Sequence, residues 1–262
     1  MNLDVTFPNA PCYMIDIDVA SAIQVSNHET SRQELLKRRL TRSGELISRP
    51  EPNLGDVQGL VNELQQALAD GEQCHIKGKI HVYKVTGKVL FSFNSKMYAV
   101  EMLRQQYREQ STNLRLTHSL KSLTFGDVAQ HLHIIFRFGA TEHTKFDMVN
   151  LMEDNLYSRD REHKDYFYFM KLVPHIFIDE ISDAEFRSYS YSLNHNSKQS
   201  MNDVGLISMI YDFTPVNMKI TKHNRDLPRF LVNLCAIVGG VFVIFGLLNR
   251  AMLSVKDTLV KQ

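Results

Sequence analysis

FLVNLCAIVGGVFVIFGLL, residues 230–248, carries no charge and one strongly polar side chain, Asn233. Wound as a helix at about 1.5 Å per residue, such a run spans about 28 Å, close to the hydrocarbon thickness of a bilayer. A helix buried in a soluble core would be shorter and apolar on one side only. Asp226 and Arg229 bound the run on one side, Asn249 and Arg250 on the other, so it reads as a transmembrane helix followed by a short tail, residues 249–262. Residues 1–229 remain for one good-sized domain with its own core. Flanking charge leans slightly toward a cytosolic domain, with Lys219, Lys222, Arg225 and Arg229 before the run and Arg250, Lys256 and Lys261 after it.

No signal peptide opens the chain. MNLDVTFPNA, residues 1–10, alternates Leu3, Val5 and Phe7 on one face like a strand already under way, so the start reads as truncated. Taken as complete, the chain would be tail-anchored with its large domain in the cytosol. The net charge of +1 provides no field for nucleic acid, which excludes that partner class. Cys235 falls inside the apolar run, leaving Cys12 and Cys74 outside it. They form one disulfide if the domain faces an oxidising lumen, or remain two separate buried thiols, and the spacing fits both.

Period-two alternation dominates the domain. In residues 130–138, Leu132, Ile134, Phe136 and Phe138 share one face and His131, His133 and Arg137 the other, which predicts a half-buried antiparallel strand. Similar patterns run through residues 74–85, with Ile76, Ile80 and Val82 inward, and through 165–178, 188–193, 205–213 and 216–221. Strands at this spacing predict a β-sandwich or open barrel, mainly β, with antiparallel pairing. Helices are expected over residues 56–70, where Val57, Leu60, Val61, Leu64 and Leu68 form a stripe stopped by Gly71, and over 97–107. Residues 31–42, with Lys37, Arg38, Arg39 and Arg42, read as an excursion between strands, and 48–56, with Pro50 and Pro52, as a linker.

Eleven histidines stand out. On a strand, His131 and His133 would lie about 6.5 to 7 Å apart, a spacing some zinc sites use, with His143 and Asp147 the nearest candidates for further ligands. The plainer reading is a polar solvent-facing edge, and His81 with Lys77 and Lys79 reads the same way. A second role for the imidazoles is a pH switch, with His118, His131 and His133 titrating near a binding face. There is no nucleophile elbow, P-loop, dinucleotide fingerprint or HExxH, so no catalytic residue, metal or cofactor is assigned. In the apolar run, Ala236 and Gly240 form a small-xxx-small pair beside Gly239, a face that admits a partner helix.

Several segments, in order, resemble the family of ER-Golgi intermediate compartment cargo receptors. They are Asp4 to Pro8 with Pro11-Cys12; Cys74-His75-Ile76-Lys77-Gly78 with Lys84-Val85-Thr86-Gly87; Thr117-His118 leading to Leu123-Thr124-Phe125-Gly126; and Tyr211-Asp212-Phe213-Thr214-Pro215 through Leu234-Cys235-Ala236-Ile237-Val238-Gly239-Gly240. Tyr168 to Pro174 resembles the strand before the family's Val-Pro turn. The resemblance implies a luminal β-sandwich between two membrane helices, here residues 1–229 with the first membrane helix missing, then the span 230–248 and a cytosolic tail. It implies a paralogous partner subunit, protein cargo, and coat proteins reached through the partner, in membranes of the ER, the intermediate compartment and the Golgi. On this reading Cys12 and Cys74 are the pair for a structural disulfide. A CxxC-bearing loop found in one branch of the family is absent, and the tail lacks a dilysine signal. Two rival readings are a tail-anchored tether with a cytosolic β domain and a metal-dependent luminal enzyme built on His131 and His133.

Overall fold

In the computed structural model the described residues are 1–21, 34–48, 52–53, 55–107, 113–139, 163–201, 205–222 and 227–260. Leu3, Val5 and Phe7 point inward along β1 (Asn2–Phe7), as alternation predicts. A 3-10 turn (Cys12–Met14) leads to β2 (Asp16–Ser21) and β3 (Glu34–Leu40). Next come α1 (Val57–Asp70), β4 (Gln73–Lys79), β5 (Gly87–Ser92) and α2 (Met97–Gln106). After β6 (Ser119–Thr124) and α3 (Val128–Phe138) follow β7 (Lys164–Asp179), β8 (Ala184–Gln199), β9 (Ile207–Phe213) and β10 (Met218–Lys222). The last element is α4 (Leu227–Val260).

The strands form two sheets, one in the order β3-β4-β1-β6 and one in the order β10-β7-β9-β5-β2, with β8 added on β7. Phe7 of the first sheet lies 5.8 Å from Phe91 of the second, ring to ring. A continuous apolar core draws Leu3 and Ile76 from one sheet and Val89, Tyr168 and Met209 from the other. This is the expected β-sandwich with a C-terminal apolar helix. One pair departs from antiparallel pairing: β7 and β9 run parallel, from Tyr166 opposite Ile207 to Leu172 opposite Phe213. A parallel pair needs a crossover, and here the intervening chain contains β8. Pro174 lies inside β7, past the last residue paired with β9, so its missing N–H removes no bond of that ladder. The buried alternation shifts there, from Met170 and Leu172 to His175 and Phe177.

Two compact units result, one of Met1–Ile178 with Glu185–Ile220 and one of Asp179–Ala184 with Thr221–Gln262. The first contains the sandwich core and helices α1 to α3. The second contains α4, whose stretch Leu227–Met252 has a mean hydropathy of 2.6 and is not buried in the rest of the protein. The helix continues past the apolar run in both directions, and Pro228 falls in its first turn, where no intrahelical donor is needed.

Helix α1 forms where the stripe predicts it. Asp56 caps it by accepting from the Gly59 N–H at 3.0 Å, and Gly71 ends it in the left-handed conformation, φ 69°. Helix α2 also forms as expected. Three readings need correction. Residues 130–138 are not a strand but most of α3, whose N-cap Asp127 accepts from the Ala129 N–H and whose last turn is followed by Gly139. Its apolar residues satisfy both periods, and the caps decide for helix. His131 and Ile134, three apart, turn inward, while Phe136, expected inside, is 90% exposed. Within 31–42, residues 34–40 are no excursion: they form β3, the outermost strand of the described first sheet, whose Lys37 and Arg38 are exposed. Charged side chains there discourage further edge pairing. The strand expected over 74–85 ends at Lys79, opposite Asn2 of β1.

Gly78 explains a requirement of the Cys-His-Ile-Lys-Gly segment. It stands between Leu3 and Leu35 in the ladders, at φ +154°, and a Cβ there would run into the Glu34 carbonyl oxygen. Gly78→Ala should therefore push β3 away and cost about 1–3 kcal/mol, read as a lower urea midpoint with faster amide exchange in β3. An unchanged midpoint would show that β3 contributes nothing to the sandwich.

Candidate functional site

Cys12, in the turn after β1, is bonded to Cys74 at the start of β4, with 4.7 Å between Cα atoms and a sequence separation of 62. Phe7 pairs with Cys74 in the ladder, so β1's register already brings the two segments together. Both sulfurs are buried in the core. The cysteine of α4, Cys235, is a free, exposed thiol.

His118 is buried, 2% exposed, at the centre of an aromatic cluster, with the Tyr166 and Tyr168 rings edge-on at 4.9 and 5.5 Å and Phe7 at 6.2 Å. Its Nδ1 lies 3.0 Å from the Leu116 carbonyl, which can only accept, so Nδ1 carries the proton and Nε2 accepts from the Tyr168 hydroxyl at 2.6 Å. Burial pushes its pKa down from 6.5 to about 4, against the pull of the Leu116 carbonyl. This corrects the expectation that His118 titrates near a binding face: it is a neutral core imidazole through the secretory pH range.

The consequence is acid sensitivity of the fold. The unfolded chain binds the proton near pH 6.5 and the folded chain only near 4, so this contribution is intact above pH 6.5 and lost as pH falls through that window. About 2 kcal/mol should vanish between pH 7 and pH 5. His118→Gln should flatten this part of the stability profile, measured by urea unfolding at both pH values. An equal loss in the variant would assign the acid sensitivity elsewhere.

His131 and His133 do not share a face. Two residues apart on α3 they point about 200° from one another. His131 is buried against the sandwich, and burial lowers its pKa although the Asp127 carboxylate opposes this. His133 is exposed and stacks on Phe186 at 6.2 Å. The strand-based zinc spacing is thereby removed. His143 and Asp147 lie outside the described residues, among which no three His, Cys, Asp or Glu side chains gather as a metal site.

A cluster that the sequence shows only as an ordinary exposed face lies at the end of β4. There a cleft of about 270 Å³ is lined by Lys79, His81 and Lys84 above Phe125, Tyr189 and Phe213. The Lys84 ammonium sits 5.7 Å from the Tyr189 ring centre, and that ring meets Phe213 edge-on at 5.8 Å. Asp127 also lines the cleft, but its Oδ1 accepts the Ala129 N–H as the cap of α3. Nearby, Asp4 of β1 bridges His75 at 2.8 Å and Lys77 at 3.3 Å, both on β4. Burial alone would raise the Asp4 carboxyl, and those two bonds more than offset it, holding the group below its usual range. On α4, Ala236, Gly239 and Gly240 are exposed, and a Cβ at either glycine would meet nothing within 4 Å.

Comparison with known proteins gives a family match over residues 56–249, described as endoplasmic reticulum vesicle transporter. Endoplasmic reticulum-Golgi intermediate compartment protein 1 of Danio rerio is 22% identical over 261 residues, covering 98% of this chain and 72% of the relative. A probable endoplasmic reticulum-Golgi intermediate compartment protein 3 of Dictyostelium discoideum is 28% identical over 190 residues, covering 69% of this chain and 44% of the relative. The crystal structure of Erv41p superposes with a TM-score of 0.49 at 16% identity, covering 84% of this chain and 92% of that one. The chain belongs to the endoplasmic reticulum vesicle transporter family, and with its apolar C-terminal helix it is a transport protein of the ER, intermediate-compartment and Golgi membranes.

Proposed function

We propose that this chain is a membrane subunit of a cargo receptor cycling between the ER and the Golgi, binding secretory or escaped ER-resident proteins and making or breaking no bond in them. The observation that carries this reading beyond family membership is the Cys12–Cys74 disulfide. A buried structural disulfide belongs in an oxidising compartment, which favours a luminal sandwich over residues 1–229, a span at 230–248 and a cytosolic tail at 249–262. A cytosolic, tail-anchored tether would keep the two thiols reduced. In this reading no zinc-dependent reaction rests on His131 and His133, which α3 turns apart.

The partner is a paralogous family subunit, which in turn engages the vesicle coat. Ala236 and Gly240, four apart on α4, offer it a face on which two helix backbones approach closely. Gly240→Leu in the full chain should reduce co-purification of that subunit from membranes by about tenfold, the loss of roughly one well-packed helix contact. Full retention would show that the face is ordinary. The receptor role itself is tested by removing the chain from cells: a defined set of ER residents should escape, or a set of secretory proteins stall. An unchanged secretome and ER proteome would overturn it.

A further inference from the structure

We infer that the cleft at the end of β4 holds an extended client segment bearing a carboxylate beside a large apolar side chain, an inference that rests on the receptor reading above. Its volume of about 270 Å³ is below the roughly 300–1,000 Å³ of sites for drug-sized ligands and cofactors, and fits one anchored side chain with its flanking backbone. The floor supplies the apolar contact: Ile80 and Phe125 are buried, and Tyr189 and Phe213 are half-buried with ring surface left toward the cleft. The rim supplies the charge. Lys79 and Lys84 are exposed, and among the described residues neither has a carboxylate partner.

Lys84 spans the aromatic floor by resting its ammonium over the Tyr189 ring, which leaves donors free for an incoming carboxylate. His81 adds a further nitrogen on the same rim. The acid of the cleft, Asp127, is committed to the first turn of α3, where the helix dipole favours it. Two ammonium groups and an imidazole around an aromatic floor complement an acidic, apolar strand of protein. A basic segment is repelled, and such repulsion is as much a source of specificity as the attraction.

The test uses the full chain in detergent micelles and two fluorescein-labelled decapeptide probes, one alternating Glu with Leu and Phe, the other identical with Lys in place of Glu. By fluorescence anisotropy the acidic probe should bind at least about tenfold more tightly, with an affinity that falls as salt rises. Lys79→Glu/Lys84→Glu should abolish that preference, and Lys79→Arg/Lys84→Arg should retain it, each with an unchanged urea midpoint. Equal affinity for the two probes, or an unaltered preference in the charge-reversed chain, would overturn the inference. Client recovery in vesicles separates the two claims. A wild-type chain that carries no client defeats the receptor reading while the probes still decide the cleft. Clients carried equally by the wild-type and charge-reversed chains defeat the cleft and leave the receptor reading standing.

Discussion

Replacing Cys12 and Cys74 together by alanine is expected to lower the unfolding free energy by about 4 kcal/mol. The bond closes a loop of 62 residues, and the entropy that such a closure removes from the unfolded chain sets that figure. Domains of this kind have about 5–15 kcal/mol in total, so the loss is a large fraction of the whole. The chain has no tryptophan and ten tyrosines, so tyrosine fluorescence and circular dichroism are the probes for urea unfolding. Reduced wild type should unfold close to the double variant, since both lack the same loop closure. Alanine also removes two buried sulfurs, which should place the variant slightly lower. Identical urea midpoints for oxidised wild type, reduced wild type and variant would show that the bond constrains nothing.

A comparable loss is expected from Arg39→Met. The Arg39 guanidinium, buried on β3, meets Glu72 in a two-pronged pair, Nε to Oε1 at 2.7 Å and Nη2 to Oε2 at 2.8 Å, with Glu63 of α1 at 3.5 Å. It also lies over the Tyr13 ring, 5.3 Å from its centre. Glu72, 4% exposed, sits between α1 and β4, so the pair ties the outermost strand to the corner that the disulfide closes. Removing the arginine leaves a carboxylate buried without its bidentate partner, at a cost of about 3–5 kcal/mol. Arg39→Met/Glu72→Leu should recover most of it, because two apolar side chains in that space carry no desolvation penalty. A double variant as unstable as the single one would mean that lost packing, rather than the stranded charge, sets the cost. Tyr13 adjoins Cys12 in the chain, so the arginine and cysteine substitutions are expected to be non-additive.

What the sequence made legible were the features written in one continuous segment. The inward Leu3, Val5 and Phe7 of β1, the capped stripe of α1 and the uncharged run within α4 each follow from neighbouring residues alone. Helix α3 is hidden in the sequence because its apolar residues fit a two-residue period as well as a helical one, and only the flanking Asp127 and Gly139 mark its ends. Strand β3 is equally hidden, because its basic side chains resemble solvated chain, whereas a strand at the edge of a sheet tolerates them and β4 supplies its hydrogen bonds. The parallel β7–β9 pair depends on how the chain between them crosses over, which local alternation does not encode.

The candidate site was legible only in part. The sequence leaves Cys12 and Cys74 open as a disulfide or as two separate thiols, the resemblance favours the bond, and the register of β1 on β4 brings the two together. Residue type does not separate the histidines: exposure decides which of them can meet a ligand, and His118 and His131 are buried. The cleft gathers Lys79 and Lys84 with Phe125, Tyr189 and Phe213, residues that come together only when β4, β8 and β9 converge at one end of the sandwich. Nothing in their spacing announces that meeting.

The central claim, a luminal disulfide-bonded sandwich on a membrane helix, is tested most directly by protease protection of intact microsomes. An epitope tag is placed between Ser48 and Asp56 of the full-length gene product, and cysteine redox state is read from the same samples by alkylation before and after reduction. The account predicts a tag protected until detergent is added, with Cys12 and Cys74 alkylated only after reduction. Digestion of the tag in sealed microsomes, with both thiols already reactive, would contradict it and place the sandwich in the cytosol.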